Sequence, residues 1–279
     1  MPISFTREVA DVPTRVDDFL AQRVERNVLA SLLAHARAGR VTGSGALFAW
    51  GTGEDGEVRF YASRTPDWPL LVSELDERDA DPLVERWLTH DRGVPGVTGV
   101  PASARAVADA WARRTRGRWG VRHREALHLL SEVVESRRPP GSLRRVREQD
   151  RELLIAWERA FVADAGIIPS AAAEAERTVE RRIESGGAYV WHDGEPVSML
   201  GLSPQIAGTV RIGPVYTPPE RRRRGYASAA VAAVCADALA RGACQCMLFT
   251  DLANPTSNKI YAAIGFRRVA DWEELEFNP

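Results

Sequence analysis

Lysine is almost missing from this 279-residue chain: of its 37 basic residues only Lys259 is a lysine, and the rest are arginines. Beside the many alanines this reads as a GC-rich coding bias and carries no mechanism by itself. Net charge is missing too, with 37 basic residues against 38 acidic ones, which argues against a polyanion binder built on bulk charge. Cysteine is scarce. Cys235, Cys244 and Cys246 fall in one short window, with no CxxC and no adjacent histidine, so neither a disulfide framework nor a metal site is indicated. The alternation in "CQCMLFT" places Cys244 and Cys246 on one side of a strand, as apolar packing residues. No apolar run is long enough to span a bilayer, and "MPISFTREVADVP" lacks the apolar stretch of a secretion signal. The expectation is a cytoplasmic protein with no membrane, nucleic-acid or metal partner.

What is present suits a soluble globular chain: 44% hydrophobic and 27% charged residues, over a length that accommodates two modest domains. The best linker is "ESRRPPGS", Glu135–Ser142, polar and carrying two prolines, which divides the chain into 1–138 and 139–279. The first part reads as a helix over Val16–Ala38, short strands at Ala46–Gly51, Glu57–Ser63 and Leu70–Leu75, helices at Asp81–Thr89 and Ser103–Arg116, and a strand at Val121–Val133. The second part reads as a strand at Leu143–Arg147, helices near Asp150–Asp164 and Ala171–Ser185, and a hairpin turning at Asp193-Gly194. A third strand, "GTVRIGPVYT", is interrupted by Gly213-Pro214. Proline removes a ladder donor there, so this strand is expected to lie at an edge or to splay from its neighbour. A helix from Ala227 to Gly242, a buried strand, a short helix and a last strand or pair of strands follow. No internal repeat is visible by eye, although both parts share a loose plan.

The stretch "TPPERRRRGYASAAV", Thr217–Val231, places four arginines and a glycine between that third strand and a helix N-terminus. Unpaired amides of a first helical turn and the helix dipole favour an anion there. Gly225 permits close backbone approach, and Ala227 and Ser228 are small enough not to obstruct it. A solvated basic loop, the competing reading, does not call for small residues at these three places together.

Arg222 to Ala227 reads R-x-x-G-x-A, which resembles the coenzyme A signature of the Gcn5-related N-acetyltransferase (GNAT) superfamily. "GPVYTPPERR" looks like that family's splayed strand, particularly in its FR47-like branch. "NPTSNKIYAAIGF" resembles a second family motif, with Asn254, Ser257, Ile260, Tyr261, Gly265 and Phe266 in register. The resemblance covers about Ser142–Pro279. The first part shows only a general likeness to a GNAT unit without its signature, with "GVTGVPASARAV" lying where the pyrophosphate loop belongs. The resemblance implies an α/β (α+β) protein of two GNAT-like domains, each a mixed, mostly antiparallel sheet flanked by helices. The N-terminal domain is then degenerate, and the C-terminal one carries the splayed strand and the catalysis.

It further implies an acetyl-CoA-dependent transfer of an acetyl group to a primary amine of a small molecule. The backbone of Val215, Tyr216 and Thr217 would pair with the pantetheine arm. Arg222, Arg223, Arg224, Gly225, Tyr226, Ala227 and Ser228 would hold the pyrophosphate, where arginine's fork suits phosphate oxygens. Asn254 would cap its helix and face the donor's arm, and Tyr261 would protonate the departing thiolate, as a phenol that stays protonated at neutral pH. No base is assigned. Many relatives carry a glutamate on the strand before the coenzyme loop, whereas here nothing acidic lies between Leu202 and Tyr216. Asp164 and Asp251 are candidates better explained as a surface charge or a cap, and His192 sits beside a hairpin turn. Other acceptors stay open, a sugar-linked cysteine or a protein amine, as does a non-catalytic acyl-CoA sensor. Nucleic-acid binding through the arginine run predicts steep salt dependence.

Overall fold

The N-terminal residues alternate apolar and polar, Ile3-Ser4-Phe5-Thr6, and form a strand: β1 (Ile3–Thr6) pairs antiparallel with β2 (Leu47–Thr52). This is a computed structural model that describes residues 2–40, 45–134, 138–166 and 173–278. Between the two strands the sequence predicts one long helix, and the structure has two. Helix α1 (Thr14–Ala21) and helix α2 (Asn27–Arg37) are separated by extended Arg23 and a 3-10 turn at Val24–Arg26. The break turns Arg26 inward, where it donates to the Phe19 carbonyl at 2.6 Å and to Glu74 at 2.8 Å. Those non-local bonds outweigh local helix propensity. Strands β3 (Val58–Arg64) and β4 (Leu70–Val72), helix α3 (Glu77–His90), strand β5 (Gly96–Gly99), helix α4 (Pro101–Thr115) and strand β6 (Arg118–Leu130) complete this stretch.

The second stretch runs β7 (Ser142–Arg145), α5 (Arg151–Asp164), α6 (Ala175–Glu184), β8 (Ala188–Asp193), β9 (Glu195–Leu202), β10 (Thr209–Tyr216), α7 (Tyr226–Ala240), β11 (Gln245–Asp251) and α8 (Pro255–Ile264). The β8–β9 turn falls at Asp193-Gly194 as predicted, with Gly194 at φ +73°. The second and longest strand of the chain's end, β12 (Arg267–Asn278), is single rather than a pair. Among the described residues there are thus eight α-helices and a mostly antiparallel arrangement of strands.

Both stretches repeat one plan. Strands β1 to β4 pair antiparallel in order and β4–β5 pair parallel. Strands β7 to β10 likewise pair antiparallel in order, and β10–β11 pair parallel. In each, two helices separate the first and second strands, one helix separates the fourth and fifth, and one follows the fifth.

The compact units do not follow the linear cut at 138. One comprises Met1–Leu127, Asp251–Ala253 and Ala270–Pro279, and the other His128–Thr250 and Asn254–Val269. The chain's last ten residues therefore belong with the first unit, where β12 pairs antiparallel with β5, Glu273 opposite Gly99 through Glu276 opposite Gly96. Leu275 is fully buried in that unit's core with Phe60, Leu83, Trp87 and Val107, and Trp272 donates to Thr98 Oγ1 at 2.8 Å. Gly96 is needed for this pairing, because a Cβ there would lie 2.1 Å from the Leu275 carbonyl oxygen. Composition marks linkers, but it carries no record of which distant strand a segment will join.

Candidate functional site

In the second unit, β10 pairs with β11 only as far as Arg211 opposite Met247. Beyond that point β10 follows β9 instead, with a register shift between Ile212 and Val215 around the exposed Gly213 and buried Pro214. Proline offers no N–H, so the two parallel strands part and a gap opens between them. The end of β10 is fastened from the other side by Ser198 Oγ, which donates to the Tyr216 carbonyl at 3.0 Å and lies 2.9 Å from Thr217 Oγ1. Tyr216 is buried against Trp157, and its carbonyl, like that of Thr217, is engaged within the unit.

A 3-10 turn at Pro219–Arg221 leads to Gly225, which caps α7 with φ +84°. That left-handed conformation, rather than crowding, is what demands glycine: a Cβ would meet nothing nearer than Pro139 at 3.9 Å. The first helical bond runs from the Ala229 amide to the Gly225 carbonyl at 3.0 Å, leaving the amides of Tyr226, Ala227 and Ser228 without a helical acceptor. The four arginines divide into two pairs. Arg221 is ion-paired with Glu195, and Arg222 donates to the Thr217 carbonyl at 2.9 Å and to Asp164 Oδ2 at 2.7 Å. Arg222 thereby ties the loop to the end of α5. Arg223, at φ +62°, and Arg224 are exposed and have no ion-pair partner among the described residues. Tyr226 is buried and donates from its hydroxyl to Asp193 Oδ2 at 2.8 Å, so it can offer a ligand its backbone alone.

Asn254 caps α8, its Oδ1 accepting from the Ser257 amide at 3.1 Å. Tyr261, on that helix, is half-buried with its ring edge-on to Phe266 at 5.8 Å. Burial pushes its phenol up to about 12, and among the described residues its hydroxyl has no hydrogen-bond partner. Asp164 is engaged by Arg222, and Asp251 Oδ1 accepts from the Ala253 amide at 2.7 Å as a turn cap. Both behave as the alternatives to a catalytic base.

Two sequence expectations change. Cys244 is exposed and precedes β11, while Cys246 is buried within it, so the two do not share a strand face. In the first unit, "GVTGVPASARAV" spans β5 and α4, the counterpart of β11 and α8, and not of the pyrophosphate loop. The counterpart of that loop is the β4–α3 junction, Ser73–Asp76, where the Asp76 carboxylate accepts from the Arg78 and Asp79 amides at 3.0 and 3.2 Å. Most of the segment between Asp164 and Ala173 lies outside the described residues, as do Glu135, Ser136 and Arg137 of the linker.

Two charged residues lie outside the sequence motifs: Arg211, the lone charge in "TVRIGPVY", and Glu158, buried on α5 and ion-paired with Arg182 at 2.7 Å. An arginine inside an otherwise apolar strand was the available signal.

Residues 148–266 match the family model described as the acetyltransferase (GNAT) family. No match was found among curated proteins. Among solved structures, an acetyltransferase from the GNAT family of Colwellia psychrerythraea is 11% identical with a TM-score of 0.63, covering 100% of this chain and 99% of its own. A GCN5-related N-acetyltransferase from Sphaerobacter thermophilus is 18% identical at 0.63, covering 99% and 96%. A tandem GNAT protein from the clavulanic acid biosynthesis pathway is 12% identical at 0.60, covering 99% and 98%. At such identities these likenesses establish the fold, over the full length of the chain. Residues 148–266 thus carry a match to the acetyltransferase (GNAT) family model, and over its full length the chain shares the fold of these GNAT proteins, a tandem one among them.

Proposed function

We propose that the second unit transfers an acetyl group from acetyl-CoA to a primary amine of a small molecule, and that the first unit binds no donor. The observation that carries this reading is the α7 N-terminus, with Gly225 at positive φ and three amides unclaimed, set after a strand that parts from its neighbour. The residues present fit a pyrophosphate with an extended arm. Arg223, Arg224 and the amides of Tyr226, Ala227 and Ser228 would hold the phosphates, with Arg222 bracing the loop. Val215, Tyr216 and Thr217 would line the arm. Bound there, acetyl-CoA supplies the acyl group already activated as a thioester.

Tyr261 keeps its proton at neutral pH, its phenol lying at about 12, and offers that proton from the helix that follows β11. The acceptor must arrive neutral, yet only about one alkylamine in a thousand is neutral at pH 7, so the pocket has to favour the uncharged form. Calorimetry of the full chain with coenzyme A, followed by thiol release on adding amines, tests the reading. One donor site per chain and amine-dependent release are expected. Failure to bind coenzyme A would remove it.

A further inference from the structure

Arg211 sits at the vertex where β10 leaves β11, opposite Met247 on one side and bonded through its backbone to Ser203 on the other. Its neighbours in sequence, Val210 and Ile212, pack into the core that includes Val231 and Val234 of α7. Side chains alternate along a strand, so Arg211 projects to the opposite face. That face is the one where Met199 and Tyr216 pack with Leu154 of α5 and Val179 of α6. The arginine Nη1 is enclosed there and has no hydrogen-bond partner, and among the described residues its guanidinium meets no carboxylate. The six residues 167–172, "IIPSAA", contain no acidic side chain that would supply one.

The nearest charges make the position worse. Arg182 of α6 lies across Gly201, where a Cβ would come within 3.0 Å of its Nε, and faces Arg211 as a like charge. Burial, and then Arg182, push the Arg211 guanidinium down to about 10. Arg182 itself is neutralised by Glu158, and this pair lines a cavity with Leu154, Val179, Gly201 and Pro214 on the same face. Arg211 is half-buried, and a guanidinium whose inward nitrogen is enclosed and unpaired is costly in a folded protein unless a counter-ion meets it. The gap between β10 and β11 joins this face to the one bearing α7, where the donor's phosphates would lie. An acyl group carried through the gap would therefore emerge beside Arg211.

Resting on the acyl-transfer reading above, we infer that the acceptor is an amine that also carries a carboxylate, and that Arg211 receives that carboxylate on the α5/α6 face. One uncompensated guanidinium calls for one negative charge, and its planar fork matches a carboxylate's two oxygens. The Glu158–Arg182 pair adds no net charge and serves as a polar wall.

The test uses the full chain with free L-amino acids and their carboxamides as probes, followed by calorimetry and thermal shift without donor. At least one amino acid should bind, and its carboxamide should bind on the order of a hundredfold more weakly. Arg211→Met should remove that preference and melt at or above the wild-type temperature, because the fold no longer encloses an unpaired charge. Arg211→Lys should recover part of the affinity. Coenzyme A affinity, measured on the same samples, should be unchanged in both variants, which separates failure of this inference from failure of the donor site. Equal binding of acid and amide, absence of binding by every amino acid tried, or a marked loss of stability in Arg211→Met would each overturn it.

Discussion

The β10–α7 junction of the second unit and the β4–α3 junction of the first occupy the same place in one strand plan, yet their helix N-termini are in opposite states. At α7 the cap is Gly225, which has no side chain, and the first-turn amides are unclaimed. At α3 the cap is Asp76, whose carboxylate already accepts two of the equivalent amides. The first junction is also stitched shut by Ser103, whose hydroxyl accepts from the Leu75 amide at 2.9 Å and donates to the Leu75 carbonyl at 3.0 Å. A helix N-terminus is an anion site only while it is vacant. One unit fills the position with its own carboxylate, whereas the other leaves it open, as the proposed donor site requires.

Closing the open junction should have the largest effect. Gly225→Val forces a β-branched residue to φ +84°, and coenzyme A affinity should fall roughly a hundredfold or more by calorimetry while circular dichroism reports a folded chain. Unchanged affinity would mean that α7 does not hold the donor. Next is Tyr261→Phe, which keeps the ring on Phe266 and removes the proton. Turnover at saturating donor should drop about a hundredfold with coenzyme A binding nearly intact. Wild-type turnover would assign Tyr261 to packing alone.

In the first unit the expected effects concern stability. Burial, then Glu274, push the Glu125 carboxyl up to about 7 from 4.5. The folded chain therefore binds this proton more tightly than the unfolded one. The stabilisation is full below about 4.5 and is lost as pH rises through about 7. Glu125→Gln should be close to neutral at pH 4.5 and should stabilise at pH 8 by on the order of 2 kcal/mol, read from denaturant midpoints. An equal effect at both pH values would refute the assignment. The smallest change is Asp76→Ala, which should cost about 1 kcal/mol through loss of the cap. It should leave the stoichiometry at one coenzyme A per chain, since the Ser103 stitch remains. A second donor site appearing in this variant would show that the carboxylate alone had kept the two junctions apart.

The helix starts of the second unit's candidate site were legible because they are set locally. Gly225, Ala227 and Ser228 are consecutive enough to define a helix start, and Asn254 with Ser257 defines another. The first unit's junction was misplaced by one strand. With no glycine there, nothing in "VSELDERD" distinguishes a closed anion site from an ordinary capped helix. The arginine run was legible as a cluster but not by member: Arg221 and Arg222 find partners in Glu195 and Asp164, residues from the hairpin and from α5. Arg211 escaped notice for the same reason, because its isolation depends on what α5 and α6 bring over it.

Sequence by itself determined what neighbours within a few residues can settle: the turn at Asp193-Gly194, the parting of β10 at Gly213-Pro214, the helix starts at Gly225 and Asn254. These follow from φ preferences, missing donors and side-chain caps, all of which act through the local backbone. Tertiary structure alone decided that the last ten residues complete the first unit's sheet, that two of four arginines are tied down, and that Arg211 has an enclosed guanidinium nitrogen with no partner among the described residues. Those outcomes depend on strand pairing and burial between segments far apart in the chain. No local preference encodes the partner a strand or a charge will meet.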